Sequence, residues 1–445
     1  MKSITNKIIL MVVMLNVLIP FSLAASTSPV ICRIELDRGI LPAGEKQKAV
    51  LKVTLDAPEA PGEEQRPPVN LSIVLDRSGS MAGTKLENAK KAAIEALRRL
   101  GDKDIFSLVI YDHNVETIVP AQSARNTEWI EGRIRSIHAG GNTALFGGVS
   151  QGASEIRKNL GSGYTHRIIL LSDGLANVGP SGPDDLGRLG SALVKENISV
   201  TTVGVGTDYN EDLMTRLSQN SDGNSYFVES DNDLSRIFAA ELGDVLSIVA
   251  KKVILKIRCS DGVSPVSIIG REGRIKDGVI ELYLNQLYGK QQKYALIEVE
   301  ISSKKSDETK KIATANISYE NAVSQKTENV SADVIVKFSK NQEEVNKSIN
   351  IDVQREYNIN ISAVAQDKAI SLADQGKKKE AIKELKGSID NLRTLGKETG
   401  DKNLINRARE MEAQVDEIEE KGWDAKNRKI LRTDSYQMIQ QQKHK

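Results

Sequence analysis

Apolar and polar positions change their period three times along the chain. Residues 30–56 are short and partly alternating. In Lys48-Ala49-Val50-Leu51-Lys52-Val53-Thr54-Leu55 polar and apolar positions partly alternate, as in a strand with one wet face, and Leu41-Pro42-Ala43-Gly44 reads as a turn. The span predicts two or three strands. Ala57 to Pro68 carries four prolines and four charged residues and reads as a linker. From Val69 the pattern becomes apolar runs alternating with amphipathic stretches. Val69 to Leu75 predicts a buried strand. Lys85 to Leu100 predicts a helix with Leu86, Ala89, Ala93, Leu97 and Leu100 on one side. Further strands are expected at Asp104–Tyr111, Val115–Val119 (at an edge), His166–Leu171, Ile198–Val205 and Tyr226–Val228. Helices are expected at 126–137, 145–160, 183–197, 211–219 and 231–246. Ile168-Ile169-Leu170-Leu171 is continuously apolar, as a strand buried on both faces requires. Strands separated by helices of this length imply a doubly wound, mostly parallel sheet.

Near residue 250 the period returns to two. Val279-Ile280-Glu281-Leu282-Tyr283-Leu284 and Lys293 to Ile301 alternate, with turn and charge clusters between such runs. This predicts an antiparallel β-sandwich. The strands before residue 57 have no other evident partner, so they are expected to complete it. From about residue 352 the pattern is helical. Gln375-Gly376-Lys377-Lys378-Lys379 breaks it, and Ala381, Ile382, Leu385, Ile389 and Leu392 resume it. The pair reads as an αα-hairpin and resembles a single tetratricopeptide-type unit. The expected organisation is an apolar leader at 1–25, N-terminal sandwich strands at 26–66, an inserted α/β domain at 67–249, the rest of the sandwich at 250–345, helical hairpins at 350–425 and a frayed tail at 426–445.

Composition adds limits. The 445-residue chain exceeds one ordinary core. Its 61 basic and 60 acidic residues leave a net charge of +1, and no basic domain points to nucleic acid. Lys2 and Lys7, the nearly unbroken apolar run Ile8–Ile19, Pro20 and the small residues Ala24 and Ala25 read as a cleaved secretory signal. No second apolar run reaches spanning length, so the mature protein is expected to be exported, periplasmic or secreted, without a transmembrane segment. In such a compartment the two cysteines, Cys32 and Cys259, are expected to pair. Closing a loop of roughly 225 residues would contribute about 5 kcal/mol on chain-entropy grounds. Two buried free thiols are the alternative.

The most informative chemistry follows Leu75. Asp76-Arg77-Ser78-Gly79-Ser80-Met81 puts one carboxylate and two hydroxyls in a loop at the carboxyl end of a strand, where open α/β sheets bind ligands. Oxygen-only donors suit Mg²⁺, Mn²⁺ or Ca²⁺. Gly140-Gly141-Asn142-Thr143 offers a third hydroxyl before a helix. Leu170-Leu171-Ser172-Asp173-Gly174 places a second acid directly after a buried strand. All three loops belong to one sheet edge. In this set, Asp76, Ser78, Ser80, Thr143 and Asp173, the chain resembles the metal-ion-dependent adhesion site of von Willebrand factor type A domains over roughly residues 68–248. The resemblance implies direct metal ligation by the three hydroxyls, water-mediated contact by the two acids, and an open position that accepts an Asp or Glu of a partner protein. The competing reading has no metal and uses Ser78 and Ser80 only to cap the following helix.

Other chemistries lack their residues. His113, His138, His166 and His444 form no His-Glu-x-x-His pattern, and neither a phosphate loop nor a Gly-x-Ser-x-Gly elbow occurs. Asp208, Glu211 and Asp212 could add acidity to the crevice, although acids at a helix start are the commoner arrangement. The expected function is a non-enzymatic binding protein. The alternative is a scaffold whose C-terminal helices make the partner contact while the metal only stabilises the fold.

Overall fold

The computed structural model describes residues 29–161 and 163–442; the segment read as a secretory signal lies outside them. The chain opens with β1 (Ile31–Leu36), β2 (Ile40–Pro42) and β3 (Gln47–Asp56). It then enters the α/β domain through the proline-rich linker. There follow β4 (Val69–Asp76), α1 (Thr84–Arg98), β5 (Ile105–Tyr111), β6 (Val115–Ser123), α2 (Thr127–Arg135), α3 (Leu145–Arg157) and β7 (Thr165–Ser172). The domain ends with α4 (Pro183–Lys195), β8 (Ile198–Val205), α5 (Glu211–Ser221), β9 (Ser225–Val228) and α6 (Leu234–Leu246). Strand order is β6-β5-β4-β7-β8-β9. All neighbours are parallel except β6, which runs antiparallel to β5 at the edge. β4, β7 and β8 are buried at every position, which is why their apolar runs do not alternate. Aliphatic clusters on either side of the sheet cover both faces.

The sandwich comprises β10 (Ile248–Cys259), β11 (Val263–Ile268), β12 (Arg274–Lys276), β13 (Val279–Tyr288), β14 (Gln292–Ile301), β15 (Thr309–Asn321) and β16 (Thr327–Ser339). One sheet has the order β1-β3-β14-β11 and the other β12-β13-β10-β15-β16-β2. β3 pairs with β14 in continuous register from Gln47↔Ile301 to Asp56↔Gln292, and β2 pairs in parallel with β16. Strands before and after the α/β domain therefore share both sheets, and Leu51, Val53, Leu255, Ile297 and Phe338 meet in their core.

The disulfide expectation fails: Cys32 and Cys259 are free thiols. The register explains it. Cys32 pairs with Leu55 near one end of β3, whereas Cys259 lies four residues before Val263, whose row ends at Gln47. Eight residues of strand, roughly 26 Å, separate those rows. Four residues of chain recover at most ~14 Å, so the Cα separation exceeds the ~7 Å limit for a bridge. Burial pushes the Cys32 thiol up to about 12, helped by Asp56, and the Cys259 thiol up to about 11.

The remainder is helical: α7 (Gln342–Lys347), α8 (Ile351–Asp374), α9 (Lys378–Thr399), α10 (Lys402–Lys421) and α11 (Ala425–Ile439). Gly376, at φ +80°, makes the expected turn between α8 and α9. The expectation of a frayed tail from residue 426 is corrected by α11. Asp424 caps it by accepting from the Asn427 N–H at 2.7 Å, and Leu431, Tyr436 and Ile439 are buried. Its partners lie on α5, β9 and α8, far away in sequence. No helix among the described residues is long and apolar enough to cross a membrane.

Candidate metal centre

β4 lies between β5 and β7, so the loops that leave the carboxyl ends of β4 and β7 adjoin. Asp76 closes β4 and is completely buried. Its Oδ1 accepts from the Ser78 N–H at 2.8 Å, which tightens the turn, and its Oδ2 accepts from the Ser172 hydroxyl at 2.6 Å. Asp173, also completely buried, follows β7. Its Oδ1 accepts from the Ser80 hydroxyl at 2.7 Å and its Oδ2 from the Lys85 ammonium at 2.6 Å. Ser78 Oγ and Ser80 Oγ are 3.1 Å apart.

The glycine loop before α3 is tied to this turn through its backbone. The Gly140 N–H donates to the Arg77 carbonyl at 2.8 Å, the Gly79 N–H to the Gly141 carbonyl at 3.1 Å, and the Ala144 N–H to the Asp112 carbonyl at 2.7 Å. Gly141 has φ +81°, and a Cβ there would collide with His113 and Asp112, so this position needs glycine. Thr143 is held by its N–H, which donates to Asn177 Oδ1 at 2.9 Å. A Cβ built on Gly174 would meet Thr143 Oγ1 at 3.2 Å, Ser80 Oγ at 3.4 Å and Ser78 Oγ at 3.8 Å. Three hydroxyl oxygens thus converge on one spot between two buried carboxylates.

All five sequence-predicted residues therefore come together. The capping reading does not describe them: α1 starts at Thr84 after Gly83, and Ser78 makes no side-chain cap bond. Ser172, Asn177 and Lys85 were not anticipated. Only Ser172 left a signal, as a small hydroxyl residue between an apolar run and an acid. Glu211 and Asp212 do not reach this cluster; they face Arg428, Lys429 and Arg432 of α11. Among the histidines, His113 and His138 are exposed, His166 is buried at the far end of β7, and His444 lies outside the described residues.

The donor set fits a hard divalent ion: two carboxylates, three hydroxyls, no nitrogen or sulfur. Among the described residues no group of three or more His, Cys, Asp or Glu is arranged to hold a metal, so an ion here would draw on the hydroxyls as well as the two acids. Burial, with the nearby Asp173 charge, pushes the Asp76 carboxyl up to about 6 despite hydrogen bonds from Ser172 and Ser78 that favour its ionised form. Two buried acids this near repel each other, and a cation among them would relieve that repulsion.

The family model for the von Willebrand factor type A domain matches residues 70–240. An uncharacterized protein of Synechocystis is 31% identical over 203 residues, 46% of this chain and 46% of its own. The uncharacterized protein YfbK of Escherichia coli is 27% identical over 235 residues, 52% of this chain and 40% of its own. Human inter-alpha-trypsin inhibitor heavy chain H3 is 26% identical over 175 residues, 37% of this chain and 20% of its own. The chain thus spans less than half the length of these curated relatives. Two solved structures share the fold at 18% identity. They are a von Willebrand factor type A protein from Catenulispora acidiphila (TM-score 0.68, 86% of this chain and 90% of that one) and the ArnB paralog VWA2 from Sulfolobus acidocaldarius (TM-score 0.61, 93% and 98%).

Proposed function

We propose, from the von Willebrand factor type A domain over residues 70–240, that this chain is an exported, non-enzymatic protein that grips an acidic group of a partner protein through a divalent cation. Domains of this family generally mediate protein–protein interactions. The observation that carries the finer reading is the convergence of the Ser78, Ser80 and Thr143 hydroxyls beside Gly174, between buried Asp76 and Asp173. These five residues would hold the ion, Mg²⁺ in the first instance and Mn²⁺ or Ca²⁺ otherwise. Neutral hydroxyls leave a bound cation short of negative charge, so it retains attraction for one more carboxylate. Ser172 orients Asp76, and the Asn177 side chain anchors Thr143. Export rests on the Lys2–Ala25 pattern alone.

The test is calorimetric titration of the full chain with Mn²⁺, followed by capture of partners from an exported fraction in Mg²⁺ or in chelator. Wild type should bind one Mn²⁺, and Asp76→Ala should weaken that at least tenfold while remaining folded. Capture should need both the metal and Asp76. A wild type that binds no Mn²⁺ sinks the reading; capture that persists in chelator and in Asp76→Ala sinks it too and returns the scaffold alternative.

A further inference from the structure

Lys85 occupies the first turn of α1, and its ammonium lies 2.6 Å from Asp173 Oδ2. Asp173 is fully buried, whereas 30% of the Lys85 side chain is exposed. The Lys85 side chain therefore reaches from partly exposed surface to the buried acid. The carboxylate bridges two environments: Oδ1 faces Ser80 and the hydroxyl cluster, and Oδ2 faces Lys85. The loop after β8 flanks the ammonium, since a Cβ on Gly206 would lie 3.7 Å from Nζ. Gly206 has φ +70°, and its N–H donates to the Val228 carbonyl at 2.9 Å, which fixes that wall.

A lysine at a helix start is unfavourable toward the helix dipole. Its place is explained by the acid it meets. Asp173 would be asked to neutralise two positive groups, a divalent ion at the hydroxyls and the ammonium outside. The two would repel across a single carboxylate in a partly dry site, where charges are screened less than in water. A seated ion would loosen the Lys85–Asp173 contact and leave a compact, mobile point charge beside the open face.

We propose that Lys85 is the site's own cation: it competes with the divalent ion for the charge of Asp173, and the ion's entry frees it to meet the anionic group of the partner. This rests on the metal reading of the preceding subsection. Cation uptake and readiness for an acidic ligand would then be coupled through one side chain, without movement of the fold.

The experiment uses the full chain, with Mn²⁺ alone as the probe for affinity and amine acetylation of Lys85, followed by mass spectrometry, as the probe for its freedom. Lys85→Met should bind Mn²⁺ about five- to tenfold tighter than wild type, and Lys85→Arg, which keeps the charge, should stay within about twofold of wild type. Lys85→Gln serves as a second neutral variant in case Lys85→Met does not fold, judged by thermal unfolding in chelator. In wild type, saturating Mg²⁺ should raise the acetylation rate of Lys85 severalfold over chelator, with no such change at the exposed Lys397 on α9. Unchanged or weaker Mn²⁺ affinity in the neutral variants overturns the proposal and makes Lys85 a positioning residue for Asp173. So does acetylation of Lys85 that slows when Mg²⁺ is added. A wild type that binds no Mn²⁺ overturns the metal reading itself and this proposal with it.

Discussion

His166, near the start of β7, is 5% exposed, and its Nδ1 has no hydrogen-bond partner. Burial, with help from the neighbouring Lys251 charge, lowers its imidazole to about 4 from an ordinary 6.5. The folded state thus holds this proton less tightly than the unfolded chain. Above pH 6.5 the group costs nothing; as pH falls from 6.5 toward 4, stability is lost at about 1.4 kcal/mol per unit, roughly 3 kcal/mol in all. Denaturant midpoints at pH 7 and pH 4.5 should differ more in wild type than in His166→Gln, and equal differences would assign the acid lability elsewhere. At this scale the sequence disclosed what depends on short-range order. Asp76, Ser78 and Ser80 sit within one loop, and Thr143 and Asp173 each follow a recognisable local signal. Ser172 and Lys85 take their roles from partners 96 and 88 residues away, and no local pattern encodes such a pairing.

At the scale of elements, strands and helices of the α/β domain were legible because each buries a continuous run or a clear stripe. α11 was not, because the face it buries mixes polar with apolar: Asn427, Lys429, Thr433 and Ser435 are buried beside Leu431, Tyr436 and Ile439. What holds it is charge. Lys429 Nζ meets Glu211 Oε2 at 2.7 Å, Arg428 reaches Glu211, Asp212 and Asp374, and Arg432 reaches Asp212 and Asp367. The Tyr436 hydroxyl donates to the Gly223 carbonyl at 2.8 Å, and Gln437 and Gln442 bond Ser225 on the edge strand β9. The helix and the residues after it thereby cover an open sheet edge. Arg428→Ala should cost about 2 kcal/mol, since Glu211 keeps Lys429 but Asp374 and Asp212 each lose a partner. Amide exchange in α11 should accelerate while α1 and β4 remain protected. Protection of α11 equal to wild type would show that its remaining contacts dock it without Arg428.

Across the whole molecule, the question is what holds an inserted domain rigid against the sandwich that carries it. Periodicity pointed to the insertion, because the partly alternating strands before residue 57 had no evident partner other than the alternating strands after residue 250. The joint itself stayed hidden inside an apolar strand, where Arg167 looks out of place. Arg167 and Glu241 are both completely buried and lie 3.4 Å apart. Arg167 also donates to Thr201 at 3.1 Å and, across the boundary, to Gln286 at 3.0 Å and Tyr288 at 3.2 Å on β13. Glu241 is satisfied by Thr201 at 2.6 Å, Asn224 at 2.8 Å and Tyr226 at 3.2 Å. A pair this dry adds little net stability, because desolvation offsets its attraction, but breaking it strands a charge. Arg167→Met alone should therefore cost about 3–5 kcal/mol, and Arg167→Met with Glu241→Gln should recover most of that loss. Thermal unfolding of the two variants and of Glu241→Gln alone closes the cycle. If the double variant is no more stable than Arg167→Met, the joint depends on the Gln286 and Tyr288 bonds rather than on the ion pair. The inserted domain would then be fastened by the hydrogen bonds that the Arg167 guanidinium donates to neutral acceptors across the boundary.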